Sequence, residues 1–250
     1  MIITYHSIDS SGSVISTAPE VFRIQLRHLK EEGYKAVTLG EFASVINGDS
    51  ALPLKSLVLT FDDGFQNFRT EAVPVLEELG FKATVFLVTD KCGKYNDWQG
   101  NPPELPRSRL LDWSEIKELS GLGYEFGVHT RTHPDLTRLS PDDVAKEVTE
   151  SRSAVEDALG REVRSFAYPY GRFDTSVRKS VMEHYDVACS TKLGLAGTGS
   201  DKFALERVDS YYLSNERVLR SIGSRSFEVY MKVRQTMRNF KSFANRLREV

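Results

Sequence analysis

Short apolar, β-branched runs alternate along this chain with longer stretches whose apolar residues recur every three or four positions, and that alternation constrains the fold most. The runs are Ile2–Tyr5, Ala36–Thr38, Leu57–Phe61, Ala83–Val88, Glu125–Val128, Arg164–Tyr168, Val187–Thr191 and Ala204–Val208. Between them, Pro19–Glu32 sets Phe22, Leu26 and Leu29 on one face before Gly33, and Gln66–Leu79 and Pro141–Leu159 run up to Gly80 and Gly160. Asp112 opens a further helix with Glu115 three residues on, a capping-box spacing. Strands separated by helices are joined in parallel by crossovers, so the pattern predicts βα units around a mostly parallel sheet. Their spacing suits a barrel better than a sandwich, and a length of 250 residues is common for one α/β barrel.

Composition narrows the function. With 33 Lys+Arg against 35 Asp+Glu, the net charge of −2 carries no general nucleic-acid footprint. A hydrophobic content of 40% with 10% aromatics supports a sizeable core and argues against disorder. The start, Met1-Ile2-Ile3-Thr4, has neither a basic region nor a long apolar one, and no stretch of about 18 apolar residues occurs, so a cytoplasmic location is expected. Cys92 and Cys189 lie far apart without C-x-x-C spacing, which predicts buried reduced thiols rather than a disulfide or a cysteine zinc site. The end of the chain differs from the rest. Up to residue 226 there are 27 basic and 33 acidic residues, and from 227 to 250 six basic and two acidic. There Tyr230, Val233, Met237, Phe240, Ala244 and Leu247 recur at helical spacing. Such a basic amphipathic helix docks on its own barrel, makes peripheral contact with an anionic membrane surface or binds a partner.

Three strand ends carry the chemistry. Asp62-Asp63-Gly64 directly follows Leu57–Phe61, placing two carboxylates where α/β barrels hold catalytic groups. Adjacent acids repel, so a nearby cation is expected. His129-Thr130-Arg131-Thr132-His133 follows Glu125–Val128, and imidazoles four residues apart converge on one metal if the backbone turns helically. With the aspartates they make up a two-histidine, one-carboxylate set. Tyr168-Pro169-Tyr170-Gly171 follows a third strand, in a turn able to aim a backbone N–H at an oxyanion. Thr89–Leu111, with Pro102, Pro103 and Pro106, is a long aperiodic loop suited to bordering a cleft. Trp113 fits core packing or the shaping of that cleft.

In that order, these motifs resemble the polysaccharide deacetylase family with its NodB homology domain, carbohydrate esterase family 4. The resemblance spans roughly residues 1–210, and Tyr5-His6-Ser7 is similar to the opening strand of its poly-N-acetylglucosamine deacetylase branch. It implies a distorted (β/α) barrel of about seven parallel strands, and the change of composition near the end divides the chain into a catalytic domain at 1–222 and a basic amphipathic helical extension at 223–250. It also implies that Asp63, His129 and His133 bind a divalent metal, usually zinc, that Asp62 is the general base, and that the Tyr170 backbone N–H binds the oxyanion. The substrate implied is a carbohydrate bearing an N-acyl amino sugar.

Two positions depart from the family pattern. The general acid is often a histidine in a late motif, yet the C-terminal half offers only His184, in a helical segment. His6, ending the first strand, fits better as the acid. The arginine that usually tethers the base, two residues before the proline of the third motif, is Ala167 here, and Arg207 near the end of the last strand is expected to supply the guanidinium instead. Against N-acetyl removal from a polysaccharide or its precursor stand a deformylase or deacetylase acting on a lipid- or nucleotide-linked sugar at the membrane face, and a non-catalytic carbohydrate-binding module. A non-haem iron oxygenase also uses a facial two-histidine, one-carboxylate triad, but has no need of a second aspartate and favours jelly-roll strands.

Overall fold

In the computed structural model, residues 1–101 and 104–248 are described, with side chains of the last helix described through Lys241. In chain order the elements are β1 (Ile2–Tyr5), β2 (Ser7–Ile8), β3 (Ser16–Thr17), α1 (Pro19–Glu31), β4 (Lys35–Val37), α2 (Leu39–Ile46), β5 (Ser56–Phe61), α3 (Val73–Leu79) and β6 (Thr84–Leu87). There follow α4 (Trp113–Gly121), β7 (Glu125–Val128), α5 (Pro141–Leu159), β8 (Ser165–Ala167), α6 (Thr175–His184), β9 (Val187–Leu193), β10 (Leu205–Asp209), α7 (Glu216–Leu219) and α8 (Arg225–Arg248).

The expected βα alternation closes into a barrel. The strands run in the order β1-β10-β9-β8-β7-β6-β5, all parallel, and β1 pairs back onto β5, giving seven staves. β4 lies outside the ring, pairing with Ser56–Val58 of β5, while β6 pairs with Thr60 and Phe61 farther along. The period of two sorts the side chains. Ile3, Tyr5, Leu57, Leu59, Phe61 and Val85 belong to the main core under the helices. Ile2, Val58, Phe86, Ala167, Cys189 and Leu205 form a second cluster, closed off by Leu39, Phe42 and Ala43 of α2. Continuing that second parity, Thr60 and Asp62 follow Val58, and Arg207 follows Leu205. The alternation therefore carries those polar groups toward the barrel's C-terminal mouth.

Helix ends follow the sequence closely. Asp112 and Glu115 form the capping box of α4, and Gly80 and Gly160 end α3 and α5 at left-handed φ of 64°. The expected Gln66–Leu79 helix instead opens with a wide turn, Phe68–Ala72, in which the Val73 N–H reaches back to the Phe68 carbonyl. Pro74 explains the change: it has no N–H to extend the regular ladder backward. Both cysteines are unpaired, Cys189 fully buried and Cys92 partly so, and burial pushes each thiol up to about 12.

Candidate active site

Asp62 and Asp63 follow β5, His129 and His133 follow β7, Tyr170 follows β8, Arg207 lies on β10 and His6 follows β1. All sit at the C-terminal ends of parallel strands. His184 ends α6, just before β9 begins, and so belongs to the opposite end of the barrel.

Asp63, His129 and His133 come together as a buried set whose ligand atoms lie within 4.8 Å of one another. Asp63 Oδ1 is 3.6 Å from His129 Nε2 and 3.5 Å from His133 Nε2. Metal–ligand bonds of about 2.0–2.1 Å at a tetrahedral angle put ligand atoms roughly 3.3–3.4 Å apart, so the set fits one small divalent ion. Two further observations agree with that fit. Asp63 Oδ1 is buried without a hydrogen-bond partner. His129 Nδ1 lies 2.7 Å from the Ala167 carbonyl, which only accepts; the proton therefore sits on Nδ1 and the Nε2 lone pair faces Asp63. Burial raises the Asp63 carboxyl above its ordinary range, and burial, reinforced by His129, holds His133 well below its own. A cation shared by the three would offset both penalties.

The imidazoles do not converge through a helical turn as the spacing suggested. Residues 129–133 form a loop in which Thr130 and His133 adopt left-handed φ of 67° and 64°. Asp63 (φ 71°) and Tyr170 (φ 57°) are also left-handed, so among the described residues four of the five non-glycine positions with positive φ lie at this site. The loop is held from below by Glu147 of α5, which accepts from the N–H groups of Arg131 and Thr132 at 2.8 and 3.1 Å and from Thr132 Oγ1 at 2.7 Å. Beside Tyr170, Gly171 has φ 67°, and a Cβ there would stand 2.6 Å from the Thr191 backbone nitrogen.

Asp62 occupies a different environment. Arg207 grips it with two parallel bonds, Nη1 to Oδ1 and Nη2 to Oδ2, both 2.7 Å, and both side chains are at most 2% exposed. The expected replacement for the arginine missing at Ala167 is therefore in contact with Asp62. A register shift between β9 and β10 from Leu205 to Arg207 delivers it, and Arg207 Nε donates to the Ser190 carbonyl at 2.9 Å. Burial alone would raise the Asp62 carboxyl, but the guanidinium overrides it and holds the group far below the carboxylate range. His6 Nε2 stands 3.8 Å from Asp62 Oδ2 on the more open side.

A cleft of about 800 Å³ runs outward from His133, lined by Trp98, Tyr170, Asp135, Arg138 and Arg172 among others. The Trp98 and Tyr170 rings lie 4.5 and 4.7 Å from the His133 ring. Lys91 and Asp97 to Gly100 of the long loop contribute to the cleft, as its aperiodicity suggested, whereas Trp113 packs against the core. Trp98, Glu147 and the cleft arginines were not singled out from sequence. Trp98 had one usable signal, an aromatic inside a functional-looking loop.

A strand-end Asp-His-His set beside a charge-paired aspartate, at the mouth of a parallel barrel, defines a hydrolase that works through a divalent metal. The sequence profile described as polysaccharide deacetylase matches residues 49–186, and the chain belongs to that family, the NodB-type carbohydrate esterases of family 4. Its named relatives are polysaccharide, chitin and chitooligosaccharide deacetylases, and the deacetylases of this family are metal-dependent hydrolases. The chain is 27% identical to YxkH of Bacillus subtilis over 208 residues, 83% of this chain and 70% of that one. It is 35% identical to the chitooligosaccharide deacetylase of Bradyrhizobium sp. over 147 residues, covering 57% of this chain and 54% of that one. The match to the poly-β-1,6-N-acetyl-D-glucosamine N-deacetylase of Escherichia coli K12 is 27% identical over 47% of this chain but only 18% of that one. Among solved structures, the Streptococcus pyogenes deacetylase PplD, in complex with acetate, superposes with a TM-score of 0.74 at 26% identity, over 83% of this chain and 90% of that one.

Proposed function

We propose that this protein hydrolyses the N-acetyl group of an amino sugar within a carbohydrate chain or its precursor. The observation that carries the reading is the pairing of Asp62 with Arg207 immediately beside the Asp63–His129–His133 set. The three-residue set would hold a divalent ion, for which zinc suits two imidazoles and one carboxylate. When bound, such an ion polarises an amide carbonyl and brings the pKa of water from about 15.7 to near 7.

The remaining steps fall to the chain's own groups. Asp62, kept ionised by Arg207, accepts the proton of the attacking water. The Tyr170 backbone N–H stabilises the developing oxyanion, a donor of a kind worth roughly 3 kcal/mol. His6 protonates the leaving amine, and the cleft rings of Trp98 and Tyr170 hold the sugar over His133. The names of the E. coli and Bradyrhizobium relatives make N-acetylglucosamine oligosaccharides the first substrates to try. The full complement of acid, base and ligand residues weighs against a purely carbohydrate-binding module.

The test is acetate release from N-acetylglucosamine oligomers of graded length. Wild type should release acetate, the metal-stripped protein should not until zinc returns, and Asp62→Asn should lose on the order of 10³-fold while still binding zinc. Acetate release by Asp62→Asn at the wild-type rate would remove Asp62 from the chemistry. No release from any N-acylated sugar by zinc-loaded wild type would overturn the enzyme reading.

A further inference from the structure

Helix α8 carries apolar side chains on two opposite faces. Phe227 and Met231 are each 1% exposed and join the core against the barrel, where Gln235 Oε1 accepts from the Leu193 N–H at 2.7 Å. At about 100° per residue, Val229, Val233, Met237 and Phe240 fall within one narrow stripe on the other side. These four are 54%, 51%, 56% and 69% exposed. An ordinary soluble face of a docked helix is polar, so a stripe of this kind marks an interaction surface.

Its surroundings select the partner. Between residues 225 and 241, Arg234 lies over the Tyr212 ring and Arg238 lines a pocket against the barrel, which leaves Arg225, Lys232 and Lys241 as the other cations, against Glu228. Arg225 and Lys232 flank the stripe on one side and Lys241 on the other. A second copy meeting face to face would bring these cations together, which disfavours self-pairing. An apolar stripe bordered by cations matches the boundary of an anionic bilayer, where the stripe enters the acyl region and the cations meet headgroups.

We propose that α8 is an interfacial helix that seats the barrel on an anionic lipid surface, parallel to it and without spanning it. No helix among the described residues is long and apolar enough to cross a membrane. Gln235, Arg238 and Asn239 line a pocket together with Gly171 and Thr191, next to the Tyr170 turn, so docking through α8 holds that edge of the active site near the lipid.

The experiment is sedimentation of the full chain with phosphatidylcholine vesicles, with and without about 30% phosphatidylglycerol, at ionic strengths of roughly 0.05 and 0.5 M. Wild type should pellet with the anionic vesicles and lose about tenfold or more in partition at high salt or with neutral vesicles. Val233→Asp/Phe240→Asp should lower partition about tenfold while acetate release from a soluble oligomer and the melting temperature stay unchanged. Lys232→Glu/Lys241→Glu, which leaves the stripe intact, should abolish the preference for anionic vesicles. Equal partition of wild type and both double variants would overturn the proposal, as would wild type remaining in the supernatant. A concentration-dependent dimer dissolved by Val233→Asp/Phe240→Asp would also overturn it, assigning the stripe to a second copy. Loss of acetate release would bear on the proposed function and leave this readout intact.

Discussion

Asp62 and Asp63 are neighbours in sequence, both buried, and electrostatic opposites. Asp62 arrives with its counter-ion: a guanidinium from the far end of the chain saturates both its oxygens and keeps it ionised. Asp63 has no such grip: the His129 and His133 imidazoles stand 3.6 and 3.5 Å from Oδ1, His129 has its proton committed to the Ala167 carbonyl, and burial leaves the Asp63 carboxyl raised and that oxygen without a hydrogen-bond partner. One step of backbone thus separates a completed ion pair from half of one. In the proposed function a divalent cation supplies the missing half, which would make Asp62 the base and Asp63 the ligand.

Removing the ligand half should have the largest effect on activity and a reversed effect on stability. Asp63→Asn is expected to lower acetate release by on the order of 10³-fold or more, measured at saturating zinc. In metal-free protein the same change relieves an unpaired buried carboxylate, so thermal unfolding should occur at a higher temperature than in wild type. Asp62→Asn should do the opposite, because it strands the Arg207 guanidinium; a cost of about 3–5 kcal/mol is typical for breaking a buried pair. If both substitutions moved the melting temperature the same way, the contrast between the two aspartates would fail.

Arg207 can be tested through pH. The folded value of Asp62 lies below its ordinary one, so the pair stabilises fully above the ordinary carboxylate range and that contribution is lost as pH falls through the depressed folded value. Arg207→Lys keeps a charge but loses the two-pronged grip. The acid limb of the rate profile should then move to higher pH, with acid unfolding beginning at higher pH as well. A profile superimposable on wild type would reduce Arg207 to packing. His6→Gln should cost less, about 10²-fold, with zinc affinity unchanged.

How much of this could be read from sequence depended on whether a residue's role is local. The barrel followed from alternation, because a period of two and a period of 3.6 are written in adjacent residues. Asp62, Asp63 and His129 were legible because they directly follow strands, and His133 because it repeats the histidine four residues on. Arg207 was legible through an absence, the small Ala167 where a tether was expected. Its bidentate geometry was not, since that rests on a register shift between β9 and β10 that no pattern of residue types announces. The helical convergence of the two histidines was the wrong geometry: spacing of four suits a helix, but Thr130 and His133 reach the same end by two left-handed steps. The strain of those steps is sustained by Glu147, fourteen residues beyond His133 on a helix that reads only as amphipathic.

Glu147 therefore offers the finest test of the contrast, because it touches neither aspartate. Three bonds from its carboxylate fix the backbone of Arg131 and Thr132, and so the direction in which His133 leaves the loop. Glu147→Gln keeps the size but weakens acceptance by two N–H groups and a hydroxyl. Supporting residues of this kind typically change metal affinity by about 10–100-fold. The expected result is weaker zinc binding, read by chelator competition, with acetate release near wild type once zinc is saturating. The Arg207-dependent acid limb should not move, because Asp62 and Arg207 are held by β5 and β10. Were the acid limb to shift with Glu147→Gln, the two halves of the site would be mechanically coupled through Asp62–Asp63, and the preformed ion pair could no longer be treated as independent of the metal-holding loop.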